Sequence, residues 1–540
     1  MNANVGGGNI NYGFEMSEFN DKESNMSPCG SPQVMNEPTR DGAEMSNAQL
    51  TTNQAQMNLY SPLVDAFSLL SAGKHLLNTD QSEDDFSSLH GIRVLSMFWI
   101  ILLHTHLYMI TAMDNYFEAF KRSTSFLYQI LTNGDVAVDT FFLMSGILVT
   151  YWTIKRLQTR GNCGDWWFWT RFYLHRWWRL APLYGFVILI ACTLLIRMAK
   201  GPLYALPQMT LDMCKRNWWT NLLFINNFYP TEGQEKCLSW SWYLAVDVQC
   251  YIVSPLFILL LHTRKRLGIA LVLAAIAGSI VLTGLLSAHY GLPVTAFGRP
   301  SKNTTDAAVD YIYEKPWTRC PPFLLGMLLG YTFTCMKTRK LKINMAVVVA
   351  NWFISAALML AVLFGLYDHY QNPGAQHNEA VKAIYNACHR CAWSIGVAWI
   401  AFACETGNGG AVELFLKWRA WKPLSRVSYV VYILHPALLL VYYSTRPVTM
   451  HYDDWPMLYN YAGILVFSYL VCTLLYLAVE LPLYRIVKTV PFTMNILTAR
   501  GPARPRTIAP STLILCPCHN EVIIKCAQIK NNAALRVLSL

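Results

Sequence analysis

Residues 92–111, IRVLSMFWIILLHTHLYMIT, read as one membrane-crossing helix. Twenty mostly apolar residues rising 1.5 Å each cover about 30 Å, the thickness of a bilayer's hydrocarbon core. Arg93 and His104 interrupt the run eleven residues apart. Eleven residues make about three turns, which aligns both side chains on one stripe about 16 Å apart along the axis. A guanidinium and an imidazole on a membrane helix are costly unless they face protein or water, so they are functional candidates by default. The competing reading makes Arg93 a positive anchor at a helix end and His104 a satisfied interior histidine.

The rest of the chain agrees with a membrane protein. Hydrophobic residues make up 54% of its 540 positions and charged residues only 14%. A net charge of +11 could point to nucleic acid. The basic residues, however, fall in short runs between apolar spans, the pattern of membrane topology. Nucleic acid is therefore not expected as a partner; the lipid bilayer is. The fold class expected is all-α and polytopic, with about ten transmembrane helices near 92–112, 135–154, 180–197, 240–261, 268–289, 320–336, 344–367, 383–404, 427–445 and 460–484. WWTNLLFINNFYP, 218–230, is too short to span and rich in aromatics, so it is expected at the membrane interface. Residues 1–57 lack an apolar core or periodicity and no secretory signal opens the chain, so they read as a disordered cytosolic tail. A pre-membrane segment, 58–90, a membrane domain, 91–490, and a cytosolic tail, 491–540, follow. No internal repeat is visible.

The loops set an expected orientation. Lys155, Arg156, Arg160, Arg171, Arg176 and Arg179 precede the third span, and Arg264, Lys265 and Arg266 precede the fifth. Lys337, Arg339, Lys340 and Lys342, then Lys417, Arg419, Lys422 and Arg426, lie in later loops of the same parity. The positive-inside rule puts those loops and both termini in the cytosol. Asn303-Thr304-Thr305 is a glycosylation sequon, useful only on the other side, and it falls in a loop the charges place there. Cys214 and Cys237 flank the aromatic tract in another such loop, where a disulfide could persist. The membrane expected is the endoplasmic reticulum or the plasma membrane.

Motifs spread along the chain carry a resemblance. They are HGIRVLSMFWIILLHT (90–105), VDTFFLMSGIL (138–148), RFYLHRWWRLAP (171–182), NWWTNLLFINNF (217–228), SWSWYLAVDVQ (239–249), RCPPFLLGMLLG (319–330), PLSRVSYVVYILHP (423–436) and VELPLYR (479–485). In this order the chain resembles the membrane acyltransferase-3 family and, within it, the nose-resistant-to-fluoxetine-like group of animals. FSLLSAGKHLL (67–77) resembles the segment just before that family's acyltransferase region. That group usually begins with a signal peptide, a Cys-containing extracellular domain and one extra span, none of which is visible here. Either a short form or a truncated gene model is expected. Cys516, Cys518, His519 and Cys526 near the end match no zinc spacing, so no metal is expected.

The resemblance implies transfer of an acyl group from a cytosolic thioester such as acyl-CoA, as co-substrate, to a hydroxyl acceptor on a lipid, sugar or other molecule. No bound cofactor is expected. The family's R-x10-H pair maps onto Arg93 and His104, and its R-x-x-R element onto Arg176 and Arg179. The residues suit that chemistry. A hydroxyl becomes a good nucleophile when a base takes its proton, and histidine is suited to that. Acyl-CoA phosphates need cations, and Arg93, Arg176 and Arg179 fall at the cytosolic face of the charge-derived topology. Ordinary positive-inside anchoring is the competing account of Arg176 and Arg179. Asp139 could orient a base, pair with an arginine or merely cap the second span, and Asp247 is similar in the fourth. Arg390, His435 and Glu480 match family positions and could build a cavity or charge network. His106, two positions from His104, faces away. Ser145-Gly146 could be a close helix contact. A transporter or scaffold on the same fold is the alternative to the enzyme.

Overall fold

The computed structural model describes residues 66–80, 85–122, 124–161, 163–198, 205–230, 236–294, 308–336, 341–371 and 379–486. The chain divides into two units, Met1–Lys488 and Thr489–Leu540, and every described residue belongs to the first. The expected tails and the sequon at Asn303 lie outside the described residues.

Twelve helices are numbered here in chain order, with shorter helical turns left unnumbered. They are α1 Leu69–Leu77, α2 Ser87–Met109, α3 Val136–Arg160, α4 Trp166–Ile190, α5 Ala205–Leu222, α6 Trp242–Thr263, α7 Lys265–His289, α8 Pro316–Cys335, α9 Met345–Phe364, α10 Glu379–Glu405, α11 Trp421–Ser444 and α12 Asp454–Leu475. Among the described residues there is no extended strand, and nine helices are long and apolar enough to cross a membrane. The protein is a multi-pass, all-α membrane protein. The sixth expected span, 320–336, is helical as α8 but is not one of the nine. The helix carries Arg319 and, in its interior, Pro321 and Pro322, and it packs inside the bundle against α3.

Consecutive crossings reverse direction. The face where α2 begins therefore also holds the ends of α3 and α6 and the start of α11. The opposite face holds the start of α3, the disulfide and the start of α10.

Three glycines set the tightest contact. A Cβ added at Gly146 of α3 would lie 2.0 Å from the carbonyl oxygen of Phe323. Added at Gly326 or Gly330 of α8, it would lie 2.1 Å from the Leu143 carbonyl or 2.4 Å from that of Ile147. The two backbones touch because these positions have no side chain, the small-residue device of membrane helix pairs. The close contact expected at Ser145-Gly146 is this seam.

The third span corrects the expected loop. Asp165 caps α4, its carboxylate accepting the Phe168 amide at 2.9 Å. Gly161 ends α3 in the left-handed region at φ 68°. The connection is thus only 161–165, and Arg171, Arg176 and Arg179 lie on the helix rather than in a loop. With its continuation to Leu194, this element has 29 residues, about 43 Å, longer than a hydrocarbon core of about 30 Å. Its first turns can project from the bilayer, which is why an aromatic and basic stretch remains helical.

The 218–230 tract also has a buried polar side. Trp218 and Trp219 are exposed, as an interfacial tract requires, but Asn221, Asn226 and Asn227 are buried. Asn221 donates to Tyr184 Oη at 2.6 Å and to the Cys237 carbonyl at 2.8 Å. Asn227 and Gln249 exchange hydrogen bonds at 3.1 and 2.8 Å. Lys236 pairs with Glu314 at 2.5 Å beside them. Cys214 and Cys237 are joined across this turn, Cα to Cα 4.2 Å. With a separation of 23 positions in sequence, the link should stabilise by ~3 kcal/mol in the chain-entropy picture. Alkylation without reductant, read by mass spectrometry, should leave both sulfurs unlabelled. Free thiols at both would remove the link and the sidedness argument with it.

Candidate active site

His104 and His435 meet at the centre of the bundle. His104 lies seventeen residues into α2 and His435 fourteen residues into α11, so both are more than 20 Å from the face where those helices begin. His104 Nδ1 is 2.8 Å from His435 Nε2, and the rings stack at 5.0 Å. His435 Nδ1 is 2.6 Å from the Val431 carbonyl oxygen. A carbonyl only accepts, so His435 Nδ1 carries a hydrogen. In a neutral His435, Nε2 is then an acceptor and His104 Nδ1 must donate to it. The hydrogen on His104 sits on Nδ1, and its Nε2 keeps a lone pair. No described residue hydrogen-bonds that Nε2. His435, fully buried, had been expected only in a general cavity or charge network; here it fixes the tautomer of His104. Nothing in the sequence around His435 hints at this, because the partner lies 331 residues away in sequence.

Arg93 lies one and a half turns into α2 and is buried, 2% exposed. Its Nη1 donates to Ser425 Oγ at 3.0 Å, which also contacts His90 Nδ1 at 3.0 Å. His90 Nε2 meets Asp85 at 3.2 Å, and Lys422 meets Asp85 at 2.7 Å. Burial alone would raise the Asp85 carboxyl, but His90 and Lys422 hold it well below the usual carboxylate range. A depressed folded value gives stability above the unfolded value near 4, lost only as pH falls towards the folded one. Glu405, at the end of α10, accepts the Ser88 amide at 2.9 Å and its hydroxyl at 2.6 Å, capping α2. Arg426 donates to the carbonyls of His75, Leu76 and Asn78 at 2.7, 2.7 and 2.6 Å, clamping the end of α1.

Arg176 forms an ion pair with Asp247, reaches Ser145 Oγ at 3.3 Å and lies 4.3 Å over the Tyr251 ring. Asp247 is fully buried. Tyr243, which had not been singled out, sits in the field of Asp247, Arg176 and Arg93. Its hydroxyl is buried with no hydrogen-bond partner among the described residues. Arg179 lies one turn beyond Arg176, within electrostatic reach of Glu480, Tyr429 and Tyr476. Glu480 ends a π-helical turn, Tyr476–Glu480, and its Oε2 is buried without a hydrogen bond.

Asp139 is not a helix cap. It lies in the first turn of α3 and receives both of its hydrogen bonds from Arg319 Nη1, at 3.0 Å each. Arg390 Nε lies 4.0 Å from the same carboxylate. Arg319 is fully buried, 4.9 Å under the Trp242 ring. It too was missed, although a buried arginine beside two prolines in RCPPFLLG was a visible signal. His106 packs on Tyr128 and Tyr452, away from His104.

The bundle of membrane helices thus holds a histidine pair at its centre and buried arginines in its interior. The acyltransferase domain model of the acyltransferase-3 family matches residues 86–477, and the chain belongs to that family. It is 32% identical to nose resistant to fluoxetine protein 6 of Caenorhabditis elegans over 442 residues. That match covers 78% of this chain and 53% of the relative, so the chain spans about half of that protein's length. It is 24% identical to the regulator of hypoxia-inducible factor 1 of the same organism, over 78% of this chain and 84% of the relative. A Staphylococcus aureus protein named "Putative O-acetyltransferase SACOL0978" is 26% identical over 39% of this chain and 32% of its own. No solved structure matches the chain.

Proposed function

We propose that the protein is a membrane O-acyltransferase that moves an acyl group from a thioester, acyl-CoA by its chemistry, to a hydroxyl acceptor. The observation that carries this reading is the hydrogen-bond chain from Val431 through His435 to His104, which leaves His104 Nε2 as a base. In the proposed step that nitrogen takes the acceptor's hydroxyl proton. The oxygen attacks the thioester carbonyl carbon, the C–S bond breaks, and the proton passes from His104 to the departing thiolate. The family match and the name of the bacterial relative support this class of reaction. The buried Tyr243 hydroxyl is a candidate donor to the carbonyl oxygen as charge develops there. The donor enters from the face where α2 begins, which we assign to the cytosol from the loop charges.

Incubating purified protein with labelled acyl-CoA and a lipid extract tests the proposal. Label on a hydroxyl-bearing product supports it. Label that stays on the thioester under all acceptors, with uptake of a solute into vesicles instead, favours a transporter.

The arginines divide under this reading. Arg176→Ala would leave Asp247 buried and unpaired, so it should lower stability whatever it does to the donor. Arg179 is the second test of donor binding, read together with thermal stability because it faces the buried Glu480. Arg179→Ala should weaken acyl-CoA binding roughly tenfold to a hundredfold, the worth of a charge-assisted contact. Arg179→Lys should restore only part, because a point charge does not reproduce the guanidinium fork. Binding measured in nanodiscs at matched ionic strength decides it. Unchanged affinity in both variants would reassign Arg179 to anchoring the helix.

A further inference from the structure

A second site lies at the opposite face. A small cleft that opens to solvent is lined by Asp135, Tyr313, Tyr385, His389 and Arg390 among others. Arg390 is 5% exposed. Its Nε and Nη1 are buried with no hydrogen-bond partner among the described residues. Its one ion pair is the 4.0 Å approach to Asp139, beyond hydrogen-bond distance. Asp139 is already held by both bonds from Arg319. Asp135 is the mirror case: its carboxylate is 19% exposed and comes no closer than 3.6 Å to Arg319. One wall of the cleft therefore offers unspent donors and another an unspent acceptor.

The charges decide what fits. Arg319 and Arg390 balance Asp135 and Asp139, so the cluster is neutral. A bare anion or a bare cation would unbalance it in a poorly solvated place, which is costly. A ligand carrying both charges leaves it balanced and satisfies both walls. The Tyr385 ring suits an ammonium group, which is attracted to aromatic faces, whereas the Tyr313 ring already carries the Arg319 guanidinium at 4.8 Å. His389 spends Nδ1 on the Tyr385 carbonyl at 2.8 Å and stacks on that ring at 4.9 Å, holding the wall in place.

The geometry points to a binding site for a small zwitterion, its oxyanion on Arg390 and its ammonium against Asp135 and Tyr385. Either a free molecule or a lipid headgroup could present that chemistry. The site stands apart from the acyl-transfer reading and does not depend on it.

The test uses the full chain in nanodiscs and calorimetry with four probes: phosphocholine, glycine betaine, choline and inorganic phosphate. Phosphocholine or betaine should bind at least about tenfold tighter than either single-charge probe, the worth of one lost charge-assisted contact. Arg390→Gln should abolish that preference. Asp135→Asn should do more than weaken zwitterion binding: it leaves the cluster with one excess positive charge, so inorganic phosphate should bind better than to the parent. A gain of binding cannot come from misfolding. Discs of phosphatidylcholine and of phosphatidylglycerol separate the sources. Phosphocholine binding only in the second kind marks a headgroup site already filled in the first, whereas equal binding in both marks a site for a free ligand. Four probes that bind equally or not at all in both discs, or Asp135→Asn with no gain for phosphate, would overturn the site and leave a water-filled cleft.

Discussion

His104→Ala is expected to lower acyl transfer by about 10²- to 10⁴-fold, the range a positioned general base contributes. Expression and membrane insertion should not change, because exchanging one imidazole for a methyl does not prevent so apolar a span from inserting. The partner histidine sharpens the expectation. His435→Leu cannot accept from His104 Nδ1, so the tautomer that leaves Nε2 basic loses its support and activity should fall. His435→Gln keeps an acceptor oxygen near the same place and should recover part of the loss. A merely structural role for His435 would not produce that ordering. Rates are to be read with purified protein at saturating donor; full activity in His104→Ala would end the assignment of His104 as base.

Arg319→Met should be strongly destabilising, by roughly 3–5 kcal/mol, because it strips the buried Asp139 carboxylate of both its hydrogen bonds and leaves it only the 4.0 Å approach of Arg390. The readout is thermal unfolding by size-exclusion in detergent, with yield in membranes as a second measure. Asp139→Leu in the same chain removes the stranded charge and should recover much of the loss. A single variant as stable as the parent would show that Arg390 alone neutralises Asp139.

The sequence carried the fold well where hydropathy decides it. The span starting near Ile92 and the pairing of Ser145-Gly146 with a neighbour were legible because length and small side chains have local signatures. The start of the third span was not, since WWFWTRFYLHRWWR mixes aromatics and arginines at a membrane surface and hydropathy cannot tell a projecting helix from a loop. The site was half legible. Arg93 and His104 declared themselves as polar groups inside an apolar run. What each touches did not, because Ser425 and His435 approach from α11, 332 and 331 residues away in sequence. Position in a loop also suggested that Arg176 was available to a ligand; its pairing with Asp247 depends on how α4 and α6 cross, which no local pattern encodes.

The glycine seam between α3 and α8 limits how the protein can breathe. Two helices whose main chains touch through Gly146, Gly326 and Gly330 have no side-chain cushion to slide on. They can only travel together, as a keel. Opening of a passage to His104 would then be taken up outside this pair, by α2, which packs on α3, and by α11, which packs on α2; these two carry the histidines. Spin labels placed at the ends of α3 and α8 would keep a constant separation through a catalytic cycle, while a pair placed across α4 and α11 would record the stroke.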